Sequence, residues 1–337
     1  MNVWSKASRV LSTFVGAAAL LTLNANAGVD RDGAEYNLAV PLPGDQIHAD
    51  LALGPTGGYL VWDDNISDGD GQGVSLRRIT STLSGELNVQ PLATKTAGHQ
   101  ERPRVSLLSR GGAVFAWQSG PDSAQRVYVR MMNGSGVFNG EEIPVSVREV
   151  HQTQPAVAGL TSANAVVVWS ADGPDGSMMG VYAAMFGPSG QRNGGEFQVN
   201  QFSDFNQRSA TVAALPGGGF VVAWISEGQR NPFSVDVYAR VFDGNGQALL
   251  SEFRVNSGDQ ICSSPSIATT AAGNFVITWS EIAQDVAKDG LQNPAFEGLV
   301  VPIRDPNAWD IYASGFNKDG LRLTVPTRSP SLLKPLA

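Results

Sequence analysis

Ala165-Val166-Val167-Val168-Trp169 is an apolar, mostly β-branched run that stops on a tryptophan, and the same ending occurs four more times. Its counterparts are Tyr59-Leu60-Val61-Trp62, Val114-Phe115-Ala116-Trp117, Phe220-Val221-Val222-Ala223-Trp224 and Phe275-Val276-Ile277-Thr278-Trp279. Successive tryptophans stand 55, 52, 55 and 55 residues apart. A period of that length, filled with short strand-like runs between Gly, Pro, Asn and Asp clusters, marks a repeat protein made of small antiparallel sheets.

Working outward from Trp169, the unit has four pieces. Pro155 to Leu160 alternates and turns, the tryptophan run follows, Gly180-Val181-Tyr182-Ala183-Ala184-Met185-Phe186 is the third piece, and Glu196-Phe197-Gln198-Val199-Asn200 is the fourth. The third piece recurs as Val127-Tyr128-Val129-Arg130, Val237-Tyr238-Ala239-Arg240 and Ile311-Tyr312-Ala313-Ser314, with Val74-Ser75-Leu76-Arg77 as the weakest copy. The fourth recurs as Glu86-Leu87-Asn88-Val89, Glu142-Ile143-Pro144-Val145 and Glu252-Phe253-Arg254-Val255, and Arg322-Leu323-Thr324-Val325 ends the last repeat.

A four-stranded unit cannot bury both apolar faces alone, so neighbouring units must stack. The fold expected is all-β: a five-bladed β-propeller of four-stranded blades, with repeats at about 46–99, 100–151, 152–206, 207–261 and 262–326. An additional fourth-strand copy at Glu35-Tyr36-Asn37-Leu38, within a clasp strand at 35–40, would close the ring. An open β-solenoid is the competing arrangement.

Residues 1–27 read differently: Lys6 and Arg9 precede the apolar stretch Val15 to Leu23, and Ala25-Asn26-Ala27 has the small-x-small form of a signal-peptide cleavage site. Residues 28–337 then form a single exported domain, periplasmic, cell-surface or extracellular, with no further segment to insert in a membrane. The net charge of −8, with basic residues scattered singly apart from Arg77-Arg78, excludes nucleic acid and anionic lipid as natural partners. The single cysteine, Cys262, precludes an internal disulfide and reads as a small residue standing where other copies carry glutamine.

Gln46, Gln100, Gln152 and Gln207 share one repeat position ahead of the first strand. Pointing to the axis they would form a ring of amides able to bind a glycan hydroxyl or carboxylate; pointing inward they would tie blade to blade. His99 and His151 immediately precede two of them, a pair of imidazoles that suits zinc or copper but lacks a third ligand. After Trp62 the chain reads Asp63-Asp64-Asn65-Ile66-Ser67-Asp68-Gly69-Asp70-Gly71, a carboxylate-dense loop of the type that wraps calcium, although its spacing is not that of an EF-hand. Asp63, Asp64, Asp68 and Asp70 are the metal candidates, and Asp-Gly pairs are also ordinary turn formers.

In the last repeat the same loop, Glu281 to Trp309, carries an insertion with Asp285, Phe296, Arg304 and Trp309 as candidate ligand-binding residues. The repeated tryptophans invite a sugar-stacking role, yet their place at the end of apolar runs favours packing. Glu142, Glu196 and Glu252 are expected to pair with Arg130 or Arg240 across adjacent strands. No GxSxG, HExxH, phosphate loop or strand-linked GxGxxG is present. Glycosidase chemistry needs only two carboxylates, for which Asp68, Asp70, Asp285 and Glu297 are available.

The pattern VVVW, DG-rich loop, GVYAxxF, EFxVN, then Q, resembles repeats of large secreted and cell-surface bacterial proteins with β-propeller-like folds. It spans about residues 35–326, strongest in repeats three and four; repeat one lacks the tyrosine, and repeat five lacks the glutamine and the fourth-strand glutamate. The resemblance implies export and a binding or adhesive role. The expectation is therefore a secreted, non-enzymatic binding module that recognises a protein or polysaccharide at the cell exterior through its loop face. A glycan-active hydrolase or lyase is the alternative, and a structural subunit of a surface assembly the third reading.

Overall fold

The computed structural model describes residues 42–82, 85–173, 178–282 and 309–323. The expected clasp strand and signal peptide lie outside these residues. So does most of the inserted loop of the last repeat.

Among the described residues every element is a β-strand, and each repeat makes one antiparallel sheet. Sheet one comprises β1 (Gln46–Gly54), β2 (Gly57–Asp64), β3 (Gly73–Thr80) and β4 (Gly85–Pro91). Sheet two comprises β5 (His99–Leu107), β6 (Ala113–Gly120), β7 (Arg126–Met132) and β8 (Ile143–Pro144). Sheet three is β9 (Gln152–Gly159), β10 (Ala165–Asp172), β11 (Met179–Phe186) and β12 (Phe197–Gln198); sheet four is β13 (Gln207–Ala214), β14 (Phe220–Glu227), β15 (Val235–Phe242) and β16 (Phe253–Arg254). Sheet five retains three strands, β17 (Cys262–Thr269), β18 (Phe275–Ile282) and β19 (Trp309–Phe316). This is a propeller-like array of meanders, each beginning at an edge strand.

The apolar runs form the cores between consecutive sheets. Val166, Val168 and Val181 of sheet three pack with Phe220, Val222 and Trp224 of sheet four, and Val221, Ala223 and Ile225 pack with Phe275, Ile277 and Trp279 of sheet five. A strand buried on both faces needs an apolar residue at every position, which is why β10 and β14 read as continuous runs rather than alternating ones. All five repeated tryptophans are buried, and in sheets two to five each lies directly across from a tyrosine: Trp117–Tyr128, Trp169–Tyr182, Trp224–Tyr238 and Trp279–Tyr312. They are packing residues, not a sugar-stacking surface.

Polar latches join the same neighbours. Arg130 donates to Leu92 O, Arg192 to Val145 O, Arg240 to Val199 O and Arg322 to Val255 O, each guanidinium reaching into the preceding sheet's segment. The fourth-strand glutamates do likewise, which corrects the expected Glu–Arg pairing within a sheet. Glu142 accepts from Thr94 N and Lys95 N, Glu252 accepts from Gln201 N and Phe202 N, and Glu196 pairs with Arg148 at 2.8 Å. A carboxylate aimed at two adjacent amides satisfies donors that no strand pairs, a stronger use than a surface ion pair.

Candidate active site

Each first strand carries one irregularity at the same place. In β1 the pairing with β2 skips from Ile47 to Asp50, in β5 from Glu101 to Arg104, in β9 from Thr153 to Ala156, in β13 from Arg208 to Thr211 and in β17 from Ser263 to Ser266. The residue opposite the skip is always the repeated tryptophan. Two residues of the first strand therefore face one indole in all five sheets, a β-bulge that re-aims the edge strand.

The first residue of each bulge is left-handed without being glycine. Its φ is 49° at His48, 52° at Arg102, 55° at Gln154, 57° at Ser209 and 51° at Ser264. Such a conformation costs about 1–3 kcal/mol per residue and persists only where the surroundings enforce it. Here side chains of adjacent sheets hold the bulges: Gln118 Oε1 accepts from Gln154 N at 3.0 Å, Gln154 Oε1 from Ser209 N at 2.9 Å, and Asp50 Oδ2 from Val105 N at 2.9 Å.

Four of the five bulges, together with Asp50 of β1, line a cavity of about 550 Å³ to which the first strands of all five sheets contribute. Asp50, Arg102, Arg104, Gln154, Ser209 and Ser264 are among its walls. The volume matches that of small-ligand sites. His48 occupies the corresponding bulge in β1, and its Nδ1 lies 3.0 Å from Oδ2 of Asp63, which is fully buried at the end of β2. Burial pushes the Asp63 carboxyl above its usual range, while the His48 contact pulls it back. The rest of the imidazole is exposed, and His48 is not among the residues lining the cavity. In sheet two a second carboxylate, Glu101, accepts from Gln118 Nε2 and Gln125 Nε2.

The residues singled out from sequence lie elsewhere. Gln100, Gln152 and Gln207 are fully buried, and their amides donate to Gly98 O, Arg148 O and Asp204 O of their own loops; Gln46 donates to Pro43 O and Gly44 O. Gln152 Oε1 also accepts from Val127 N of the preceding sheet. These amides shape the loops that lead into each bulge, two residues before the side chains that line the cavity. Sequence reasoning stopped two residues short.

The acidic loop is divided among separate tasks. Asp63 holds His48, Asp64 accepts from Ile66 N, Ser67 N and Ser75 Oγ, Asp68 from Asp70 N, and Asp70 from Gly98 N. Among the described residues no three His, Cys, Asp or Glu side chains are grouped to hold a metal ion, and none extends the His99 and His151 pair. Asp285, Phe296, Arg304 and Glu297 lie outside the described residues; Trp309 opens β19, half exposed, across from Ile282. Cys262 fills the glutamine position in β17, buried, its thiol pushed up to about 12 by burial and by Glu281 and Asp236. It is not a nucleophile.

No protein-family model matches the chain, and no curated protein matches it. Solved structures do. The GH93 α-L-arabinofuranosidase of Fusarium graminearum, determined with arabinobiose, is 13% identical with a TM-score of 0.50, covering 79% of this chain and 80% of its own. An α-L-arabinofuranosidase from Lactobacillus brevis is 11% identical with a TM-score of 0.45, covering 84% and 94%, and the polysaccharide lyase Uly1 is 8% identical with a TM-score of 0.44, covering 67% and 53%.

At these identities the likeness is one of fold. It nevertheless corrects the expectation of a non-enzymatic adhesion module, which rested on a repeat scaffold without a catalytic motif. The same fold carries a glycosidase in the fungal protein, so the missing motif is no evidence against catalysis.

Proposed function

We propose that this chain is an exported glycan-active enzyme, a hydrolase or lyase of polysaccharide, built as five blades closed around an axial cavity where the reaction takes place. The observation that carries this reading is the shared bulge. Five sheets spend backbone strain at one repeat position, and four of the side chains so placed line one cavity. Strain of this kind collects where a side chain must be aimed at a ligand. The serine, threonine and glutamine groups on the wall suit sugar hydroxyls.

Two further features support the proposal. The fold is shared with an arabinofuranosidase that was solved with a disaccharide, and residues 1–27 have the pattern of an export signal. Ring closure is supported by all five first strands contributing to one cavity wall. The test is turnover of a polysaccharide panel spanning arabinan, mannan and uronate-containing polymers, read as new reducing ends. The reading expects cleavage of at least one class, and it fails if folded protein releases no ends from any of them.

A further inference from the structure

We propose that Gln154 is a specificity-determining residue of the axial cavity, its amide locked so that the NH2 end is the one offered to a ligand, and that Glu101 is the positioning residue that sets the lock. The ligand group set against Gln154 then carries a lone pair, as a hydroxyl or ring oxygen of a glycan does. This deepens the reading of the chain as a glycan-active enzyme and rests on it.

Direction is the first observation. Gln154 sits on the bulge of β9 and lines the cavity. Its Oε1 accepts from Ser209 N at 2.9 Å and from Ser209 Oγ at 3.3 Å, on the bulge of the next sheet. A backbone N–H can only donate, so the oxygen must be the end that meets Ser209, and turning the amide over would leave that donor unpaired. The other end, Nε2, meets no protein acceptor among the described residues. A freely turning glutamine offers a ligand either a donor or an acceptor; this one offers N–H alone. Water satisfies such a donor, and a ligand that displaces the water keeps its affinity only by bringing an acceptor of its own.

The second observation is what holds the lock from behind. Gln118, a buried residue of β6, accepts through Oε1 from Gln154 N at 3.0 Å and from Thr153 Oγ1 at 2.9 Å. Its Nε2 donates to Gln125 Oε1 at 2.6 Å and to Glu101 Oε2 at 3.2 Å, and Gln125 Nε2 donates to the same carboxylate oxygen at 3.0 Å. A carboxylate is an acceptor only, so Glu101 turns the NH2 ends of both glutamines toward itself. Hydrogen bonding therefore runs one way across three sheets. Glu101 directs Gln118, Gln118 holds the bulge that carries Gln154, and Gln154 holds the bulge that carries Ser209. Glu101, Gln118 and Gln125 do not line the cavity, so they act on a ligand through Gln154.

The test labels the glutamine side-chain amides of the purified protein with ¹⁵N and titrates it with arabinobiose, mannobiose and digalacturonate. The signals followed are those lost in Gln154→Glu. That variant keeps an oxygen for Ser209 N and Oγ but replaces the donor with an acceptor. At least one sugar should move the Gln154 signals, and Gln154→Glu should bind that sugar about 10-fold or more weakly with the unfolding midpoint unchanged. Glu101→Gln frees the Gln118 amide to turn and should weaken the same sugar by about 3-fold. Adding Gln118→Glu to Glu101→Gln returns a carboxylate to the relay and should restore the affinity, which a loss of folding would not allow. A sugar that binds without moving the Gln154 signals, or equally well to Gln154→Glu, would overturn this inference and leave the glycan-enzyme reading standing. Full affinity in Glu101→Gln would overturn the positioning role. Binding of none of the three, together with no turnover of the polysaccharide panel, would overturn both.

Discussion

The second strand and the first strand of each sheet face one another and have opposite characters. Along β2, β6, β10, β14 and β18 the same tryptophan ends the same apolar run. Directly across, on β1, β5, β9, β13 and β17, the backbone is equally invariant, bulged and left-handed, while the side chain changes from histidine to arginine, glutamine, serine and serine. Identical residues in five copies serve what every sheet needs, which is packing. Different residues on five identical backbones serve what the assembly does once. The indole and the bulge are two halves of one device, in which a buried aromatic seats an edge strand and, in four of the five sheets, the variable side chain lines one cavity.

Removing the seat should have the largest effect. Trp224→Ala empties a fully buried position between sheets three and four and should cost about 3–5 kcal/mol in urea unfolding. A loss under about 1 kcal/mol would mean that the indole is not a packing residue. Next comes the loop amide. Gln207→Ala removes the donor to Asp204 O and one of the two acceptors of Asn200 Nδ2, which keeps Phe202 O, and should cost about 1–3 kcal/mol by the same measurement. A neutral outcome would reopen the case for these glutamines as ligand groups.

Two carboxylates sharpen the contrast through pH. Burial alone would raise Glu142, but hydrogen bonds from the Thr94 side chain, Thr94 N and Lys95 N outweigh it, and its pKa falls below the ordinary value. Its contribution to stability is therefore present above the ordinary glutamate pKa and lost as pH falls through the lower folded value. Glu142→Gln should flatten the acid limb of a plot of unfolding midpoint against pH. Asp63 has the opposite sign: burial raises it, so the folded state favours its protonated form, and that advantage disappears as pH rises through the folded value. Asp63→Asn should remove this slope and leave the protein at least as stable at neutral pH. A loss of stability there would make Asp63 a structural latch rather than part of a site.

The smallest stability effects belong to the variable side chains. Arg102→Ser should shift unfolding by no more than about 0.5 kcal/mol, since repeats four and five already place serine on that backbone.

Much of this was legible in the sequence. The tryptophan-ended runs, the tyrosine across from them and the sheet boundaries follow from local period and composition, which depend on neighbours in the chain. The bulge did not emerge, because a one-residue insertion looks like ordinary strand unless its partner register is known. A signal was nevertheless present: Arg102-Pro103, Gln154-Pro155 and Ser264-Pro265 put proline inside a strand, where it belongs only at an edge or a bulge. The glutamines drew attention because they recur, although recurrence in every copy is the property of a structural residue. The pairing of His48 with Asp63 requires the β1–β2 register, which composition cannot supply, and the adhesion reading took a missing motif as evidence against catalysis, which the shared fold does not support.

The most direct test is glycan turnover by a chain carrying Arg102→Ser and Arg104→Ser together, the residues that repeat five presents as Ser264 and Ser266. The account predicts an unchanged unfolding midpoint with turnover lost. Turnover equal to that of the natural chain would contradict it.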